Sequence, residues 1–274
     1  MPSTSSISAL GESTSSTSTV PLHTVNSQLL ALHRSIENFL RHRSGTVEVA
    51  VEDLNTDLTL TYGLEVPQDE ASVVKVNILA ALLAANPSAN PPLTAQEQLL
   101  AQAMIEESDN NAATSLWAIA GGNMGVATFD KRIGLTATTP SPCVQCEGFP
   151  WPGWGLTTTT PLDELKLLKA IFVDSGYLSS QGRAYELQLM ESIVPDERWG
   201  VSSGVASAAT VALKNGWLPL NDAGSDWQIN SVGWIRGNGR NYLVALFSTG
   251  NPSEDYGIQT LDSVSTLIWG HLGS

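Results

Sequence analysis

The 274-residue chain is short of cations: 13 lysines and arginines stand against 27 aspartates and glutamates, a formal net charge of -14. That deficit argues against nucleic acid and anionic membrane surfaces as partners, because their phosphates would be repelled. Cysteine is nearly absent. Cys143 and Cys146 form a single C-x-x-C, and His23, His33, His42 and His271 lie far from it in sequence. A zinc site needs a second ligand pair, so neither a metal nor another cofactor is predicted. The two cysteines form either a local disulfide or a pair of free thiols, and the prolines and glycines around them argue against a redox helix. No stretch is long and apolar enough to span a bilayer. Residues 1–20 show no basic segment followed by an apolar run, so no signal peptide is visible. What remains is a chain with 42% hydrophobic residues, enough for the core of one large domain or two intertwined lobes.

Residues 1–23 read as a Ser/Thr-rich disordered tail. From Thr24 to His42, Leu29, Leu32, Ile36 and Phe39 recur at helical spacing. Val47, Val49 and Val51, then Leu58, Leu60 and Tyr62, alternate as in a two-stranded hairpin. Helices follow. Thr94 and Glu97 resemble a capping box. Another helix runs through Leu116 to Gly121, and a further one covers Asn123 to Ile133. Thr160 with Pro161 marks a strong helix start, and Ser180 to Val194 forms one more helix. After Gly204 come strands over Thr210 to Lys214, Trp227 to Ile235 and Tyr242 to Thr249, then a helix from Tyr256 to Leu272. The order predicts an α+β fold in which both termini build an antiparallel sheet flanked by helices, residues 24–66 and 204–274. An all-helical lobe, residues 67–203, is inserted between them.

Three polar clusters interrupt apolar surroundings. In Ser72-Val73-Val74-Lys75, opening the apolar run Ala71–Ala84, serine and lysine share one helix face. A lysine inside such a helix is costly unless it finds partners or loses its proton, and either outcome suits a base that activates a serine. Ser108-Asp109-Asn110 sits between two helices. Lys214-Asn215-Gly216 ends a strand, and its glycine permits close approach of another backbone. Serine-based acyl transfer needs a nucleophile beside a base, a proton shuttle to the leaving group, and two N–H donors for the oxyanion.

In this order the clusters resemble the S-x-x-K, S-D-N and K-T-G signature of the penicillin-recognising serine enzymes. The chain is similar, over residues 24–274, to the class A β-lactamase branch and the related D-alanyl-D-alanine peptidases. The resemblance implies Ser72 as acylated nucleophile and Lys75 as its base. Ser108 would be the proton relay, Asn110 a holder of Lys75 and the substrate amide, and Lys214 a polarising cation that attracts a substrate carboxylate. Asp109 would cap a helix. Asn215, Gly216, Trp217 and Leu218 would bind substrate, with the N–H groups of Ser72 and Leu218 forming the oxyanion hole. It further implies a monomer outside the cytoplasm, acting on a β-lactam or a D-alanyl peptide.

Three departures stand out. Asn215 replaces the usual threonine or serine, though its amide could still donate to a carboxylate. The stretch from Ser72 to Ser108 is short, which predicts a site open on that side. The loop before Thr157 lacks the Glu-x-x-x-Asn that positions a deacylating water; its one glutamate, Glu147, reads as a solvated loop residue. The alternatives are therefore a catalytically weak penicillin- or cell-wall-peptide-binding protein, or an esterase or acyltransferase of the same fold. Trp151 and Trp154 form either a substrate platform or loop packing, whereas Trp117, Trp199, Trp227, Trp234 and Trp269 are expected in the core or partly buried surface.

Overall fold

The structure is a computed structural model that describes residues 7–9, 22–88, 92–146 and 151–273. Its strands are β1 (Ile7–Ala9), β2 (Thr46–Asp53), β3 (Leu58–Tyr62), β4 (Gln68–Asp69), β5 (Thr158–Thr159), β6 (Thr210–Pro219), β7 (Trp227–Gly237) and β8 (Arg240–Asn251). Its helices are α1 (Leu22–Leu40), α2 (Val74–Ala85), α3 (Ala95–Glu106), α4 (Asn110–Ile119), α5 (Gly122–Ile133), α6 (Pro161–Phe172), α7 (Ser180–Glu191) and α8 (Glu254–His271). The main sheet has the order β1-β3-β2-β8-β7-β6, all neighbours antiparallel. Both ends of the chain thus supply one sheet, as the α+β reading expects.

The first and last helices cover one face. Leu29, Leu32 and Ile36 of α1 are fully buried, as are Leu261, Val264 and Ile268 of α8, each set forming one helical stripe. Helix α6 packs on β2 and β8. With both faces covered, β2 buries consecutive residues rather than alternate ones. Glu48 and Glu52 are buried beside its valines; Glu48 accepts the Val66 N–H and Glu52 pairs with Lys169 of α6.

The inserted lobe surrounds α2, which contacts α3, α4, α5 and α7. Every residue from Val74 to Ala84 is buried, the mark of a central helix apolar on all sides. Local chemistry sets the helix ends. Thr94 and Glu97 form the expected capping box, and Asp109 and Thr160 each accept a backbone N–H as N-caps.

Several boundaries moved. Helix α7 stops at Glu191, because Val194 precedes Pro195 and a residue before proline is driven out of helical geometry. β6 continues past Lys214 to Pro219, held by its ladder with β7. The small β4–β5 pair carries no sequence signal, being two residues long. Within the expected disordered tail, Ile7–Ala9 instead pairs with Leu58–Leu60, where the open edge of β3 offers unpaired backbone groups; the rest of residues 1–21 lies outside the described residues. Among the described residues, no helix is long and apolar enough to cross a membrane.

Beneath α2 lies an acidic cluster that sequence reasoning missed. Glu70, Asp130, Asp163 and Glu164 are all buried, and Asn77 of α2 donates to Asp130 at 2.7 Å. Burial, reinforced by Asp130 and Asp163, pushes Glu164 up to about 8. Burial, reinforced by Glu164 and its neighbours, holds Glu70 well above the carboxylate range. Glu164 therefore folds protonated at neutrality. Such a group binds a proton that the unfolded chain has released, so its stabilisation is fully present below the ordinary value and is lost as pH rises through the folded one. Thermal unfolding should therefore show a midpoint that falls as pH rises from about 5 to about 8, at ~1.4 kcal/mol per unit for Glu164. Glu164→Gln should flatten that fall, and calorimetry across the range measures it.

Candidate active site

Ser72 sits in a 3₁₀ turn, Ala71–Val73, that runs directly into α2. Two contacts fix this turn. Asn230 of β7 donates to the carbonyls of Asp69 at 2.8 Å and Glu70 at 3.0 Å. Gly216 of β6 lies against the turn so closely that a Cβ there would fall 2.7 Å from the Ser72 nitrogen and 2.8 Å from the Glu70 carbonyl oxygen. Only glycine permits that approach. Ala71 adopts φ 51 and Ser108 φ 57, left-handed conformations that cost a non-glycine residue ~1 kcal/mol or more. Both flank the chemistry.

The structure brings the three motifs together around Lys75. Its Nζ donates to the Ser108 carbonyl oxygen at 2.5 Å and to Asn110 Oδ1 at 2.8 Å, and lies 3.0 Å from both Ser72 Oγ and Ser108 Oγ. Lys214 Nζ approaches Ser108 Oγ from the other side, also at 3.0 Å. Ser72, Lys75, Ser108 and Lys214 therefore form one continuous chain of hydrogen-bonding atoms. Both lysines are fully buried. Burial, with Lys214 adding repulsion, brings Lys75 down to about 6. Burial brings Lys214 down to about 8, opposed by the Glu197 carboxylate. At neutral pH Lys75 is mostly an amine with a lone pair free for the Ser72 hydroxyl proton, while Lys214 retains its proton. Asp109 turns to cap α4, accepting the Ala112 N–H at 2.6 Å.

Asn215 corrects an expectation. Its amide does not point at a substrate carboxylate: Nδ2 donates to the carbonyls of Glu197 at 2.8 Å and Trp199 at 3.3 Å, and Oδ1 accepts from Ser231 at 2.6 Å. The side chain ties the segment before β6 to the sheet. Glu197 is thereby held 3.6 Å from Lys214. The two lie 17 positions apart with no periodic pattern between them, so sequence offered no sign of this pair.

Ser72 and Asn110 open onto a cleft of about 620 Å³ walled by Trp151, Trp154, Trp217 and Trp227, with Leu218 beside them. Trp217 is placed as expected, and Trp199 packs against it edge-on with ring centres 6.1 Å apart. Trp227, partly buried as expected, also joins the wall because β7 pairs it with Pro219 at the end of β6. Trp154 serves both readings: it is buried, donates to Thr114 at 3.2 Å, and its ring centre lies 5.2 Å from Lys75 Nζ. Cys143 and Cys146 form a disulfide. Gly153, between the two loop tryptophans, donates its N–H to the Cys143 carbonyl at 2.9 Å, so this closed loop supports the cleft wall. Glu147, the one glutamate of the loop, lies outside the described residues. Among the described residues, no group of three or more His, Cys, Asp or Glu could hold a metal ion.

Comparisons with known proteins agree with this geometry. The fold is that of class A β-lactamases. TLA-1 extended-spectrum β-lactamase superposes with a TM-score of 0.77 at 19% identity, covering 90% of this chain and all of that one. A class A β-lactamase from Mycobacterium abscessus superposes with a TM-score of 0.73 at 20% identity, covering 89% and 100%. Among curated sequences, the putative lipoprotein LppW of Mycobacterium tuberculosis, and that of Mycobacterium bovis, is 29% identical over 217 residues. That alignment takes in 77% of this chain and 65% of the relative, so the chain spans about two thirds of the length of the curated proteins it matches. The profile of the beta-lactamase enzyme family matches residues 87–272, a span that includes Ser108 and Lys214 and begins after Lys75. Together with the α+β fold, this match makes the chain a member of the beta-lactamase enzyme family.

Proposed function

We propose that the protein is a serine acyl hydrolase in which Ser72 attacks a carbonyl carbon and carries the acyl group as an ester. β-Lactams and D-alanyl-D-alanine-like peptides are the acyl donors that the family points to. The observation that carries this reading is the 3.0 Å contact between Ser72 Oγ and a buried, largely neutral Lys75. Lys75 takes the hydroxyl proton as Ser72 attacks. Ser108, in contact with both lysines, passes a proton to the leaving group. The Ser72 N–H and an N–H of β6 beyond Gly216 receive the developing oxyanion at the helix end. Asn110 keeps Lys75 in register. The water-activating residue of the second half-reaction is not assigned.

A second reading, an esterase or acyltransferase of the same fold, is favoured by the ion pair that Lys214 makes with Glu197. A non-turning-over penicillin- or cell-wall-peptide-binding protein would share the acylation step and differ in how long the acyl group stays. The lipoprotein name of the mycobacterial relatives supports association with the cell envelope.

Incubation with a fluorescent penicillin, and separately with a fluorophosphonate, followed by intact mass and peptide mapping tests the nucleophile. The expected result is a covalent adduct on Ser72 from at least one reagent, absent in Ser72→Ala. No adduct from either would sink the proposal. The rate of that labelling should rise with pH through an apparent pKa near 6 as Lys75 loses its proton, and decline above about 8 as Lys214 does. Lys75→Met should slow it by ~10² to ~10⁴-fold, measured by stopped labelling on protein whose circular dichroism is unchanged.

A further inference from the structure

A substrate carboxylate entering this cleft would find no free cation. None of the 13 lysines and arginines, all of which lie among the described residues, lines the cleft wall. The one that comes near, Lys214, is fully buried. Of the three N–H donors of its ammonium, two are hydrogen-bonded, to Ser108 Oγ and the Asn215 carbonyl, each at 3.0 Å, and the Glu197 carboxylate forms an ion pair with it at 3.6 Å. The Asn215 amide is likewise spent on the Glu197 and Trp199 carbonyls.

The Glu197–Lys214 pair is built in rather than incidental. Asn215 holds the Glu197 backbone, Ser231 Oγ accepts the Val201 N–H at 2.9 Å, and Asp262 accepts the Gly200 N–H at 2.6 Å. Gly200 adopts φ +67 so close to Ser231 that a Cβ would meet its Oγ at 2.2 Å, which leaves this segment one position against the sheet. The charged residue that does line the cleft is Asp222, opposite in sign to what a carboxylate needs. Four indoles, with Leu218, Pro219 and Leu220 beside them, supply most of the apolar wall.

Resting on the acyl-enzyme reading above, we infer that the site selects uncharged or cationic aryl-acyl esters and amides, and discriminates against donors that carry a carboxylate on the leaving group. For an ester, Ser72 Oγ bonds the acyl carbon and the bond to the alcohol oxygen breaks. The Ser72 proton travels through Lys75 and Ser108 to that oxygen. Water then adds to the acyl carbon, the bond to Ser72 Oγ breaks, and a carboxylic acid leaves with the serine restored. The aryl group lies among the indoles, which are matched to a π-face.

The test compares 4-nitrophenyl phenylacetate with its 3-carboxy-4-nitrophenyl analogue on the full chain, subtracting the Ser72→Ala rate. The expected kcat/KM ratio favours the uncharged ester by ~10-fold or more, a preference that shrinks with added salt as repulsion is screened. Glu197→Gln, which removes the carboxylate opposite Lys214, should raise kcat/KM for the carboxylated ester relative to that for the uncharged one. Trp217→Ala should lower the preference for phenylacetyl over acetyl esters through KM. A wild-type preference for the carboxylated ester, or a ratio unmoved both by salt and by Glu197→Gln, overturns this inference while Ser72-dependent turnover stands. Absence of any Ser72-dependent turnover or labelling overturns the acyl-enzyme reading beneath it.

Discussion

The burial of Lys75 is the constraint on which the site depends. An ammonium removed from water on a helix apolar on all sides costs several kcal/mol unless oxygen atoms replace its hydration shell. Those oxygens come from Ser72 on its own turn and from Ser108 and Asn110 across a helix junction. The junction supplies both a carbonyl and a hydroxyl from Ser108 because that residue accepts a left-handed conformation. Even so, the balance favours the neutral amine at pH 7. A poorly compensated burial is thus what leaves Lys75 with a lone pair. A second lysine on the far side of Ser108 strengthens the effect by repulsion and retains its own proton because Glu197 faces it.

The sheet serves this arrangement through backbone contact rather than through side chains. Gly216 lets β6 press on the Ser72 turn, and Asn230 from the neighbouring strand grips the two carbonyls just before it. The nucleophile is therefore clamped between a helix that continues from it and a strand edge that passes beside it. The same strand sends Lys214 inward and Trp217 to the cleft wall. One strand thus serves two environments, a dry polar one around the lysines and an aromatic one facing the cleft.

Charge is arranged in layers. Glu70 and Glu164, both held well above the carboxylate range, cluster with Asp130, which accepts from Asn77 of α2. Residues two apart on a helix point to different sides, so Asn77 meets this acidic cluster while Lys75 meets Ser72, Ser108 and Asn110. Around Lys214, by contrast, the Glu197 side chain is brought within 3.6 Å. The result is a cleft whose cations are all engaged and whose wall is apolar and slightly acidic.

Sequence by itself determined the α+β class, the inserted helical lobe and most helix ends, and it singled out Ser72, Lys75, Ser108 and Lys214, which the structure brings together. These rest on short-range chemistry: period, caps, prolines, and a polar triplet in an apolar setting. It could not determine that Asn215 faces away from substrate, that Glu197 neutralises Lys214, that Trp227 joins the cleft wall, or that Ile7–Ala9 adds a sheet edge. Each of those is settled by which distant segments meet, and no local pattern in Glu197-Arg198-Trp199 records its partner on β6. The same holds for Cys143 and Cys146, whose spacing was compatible with thiols or a disulfide until the loop was folded. Local propensity selects elements, but the charge that a substrate meets is the sum of side chains brought together by the sheet, and only the tertiary structure decides that sum.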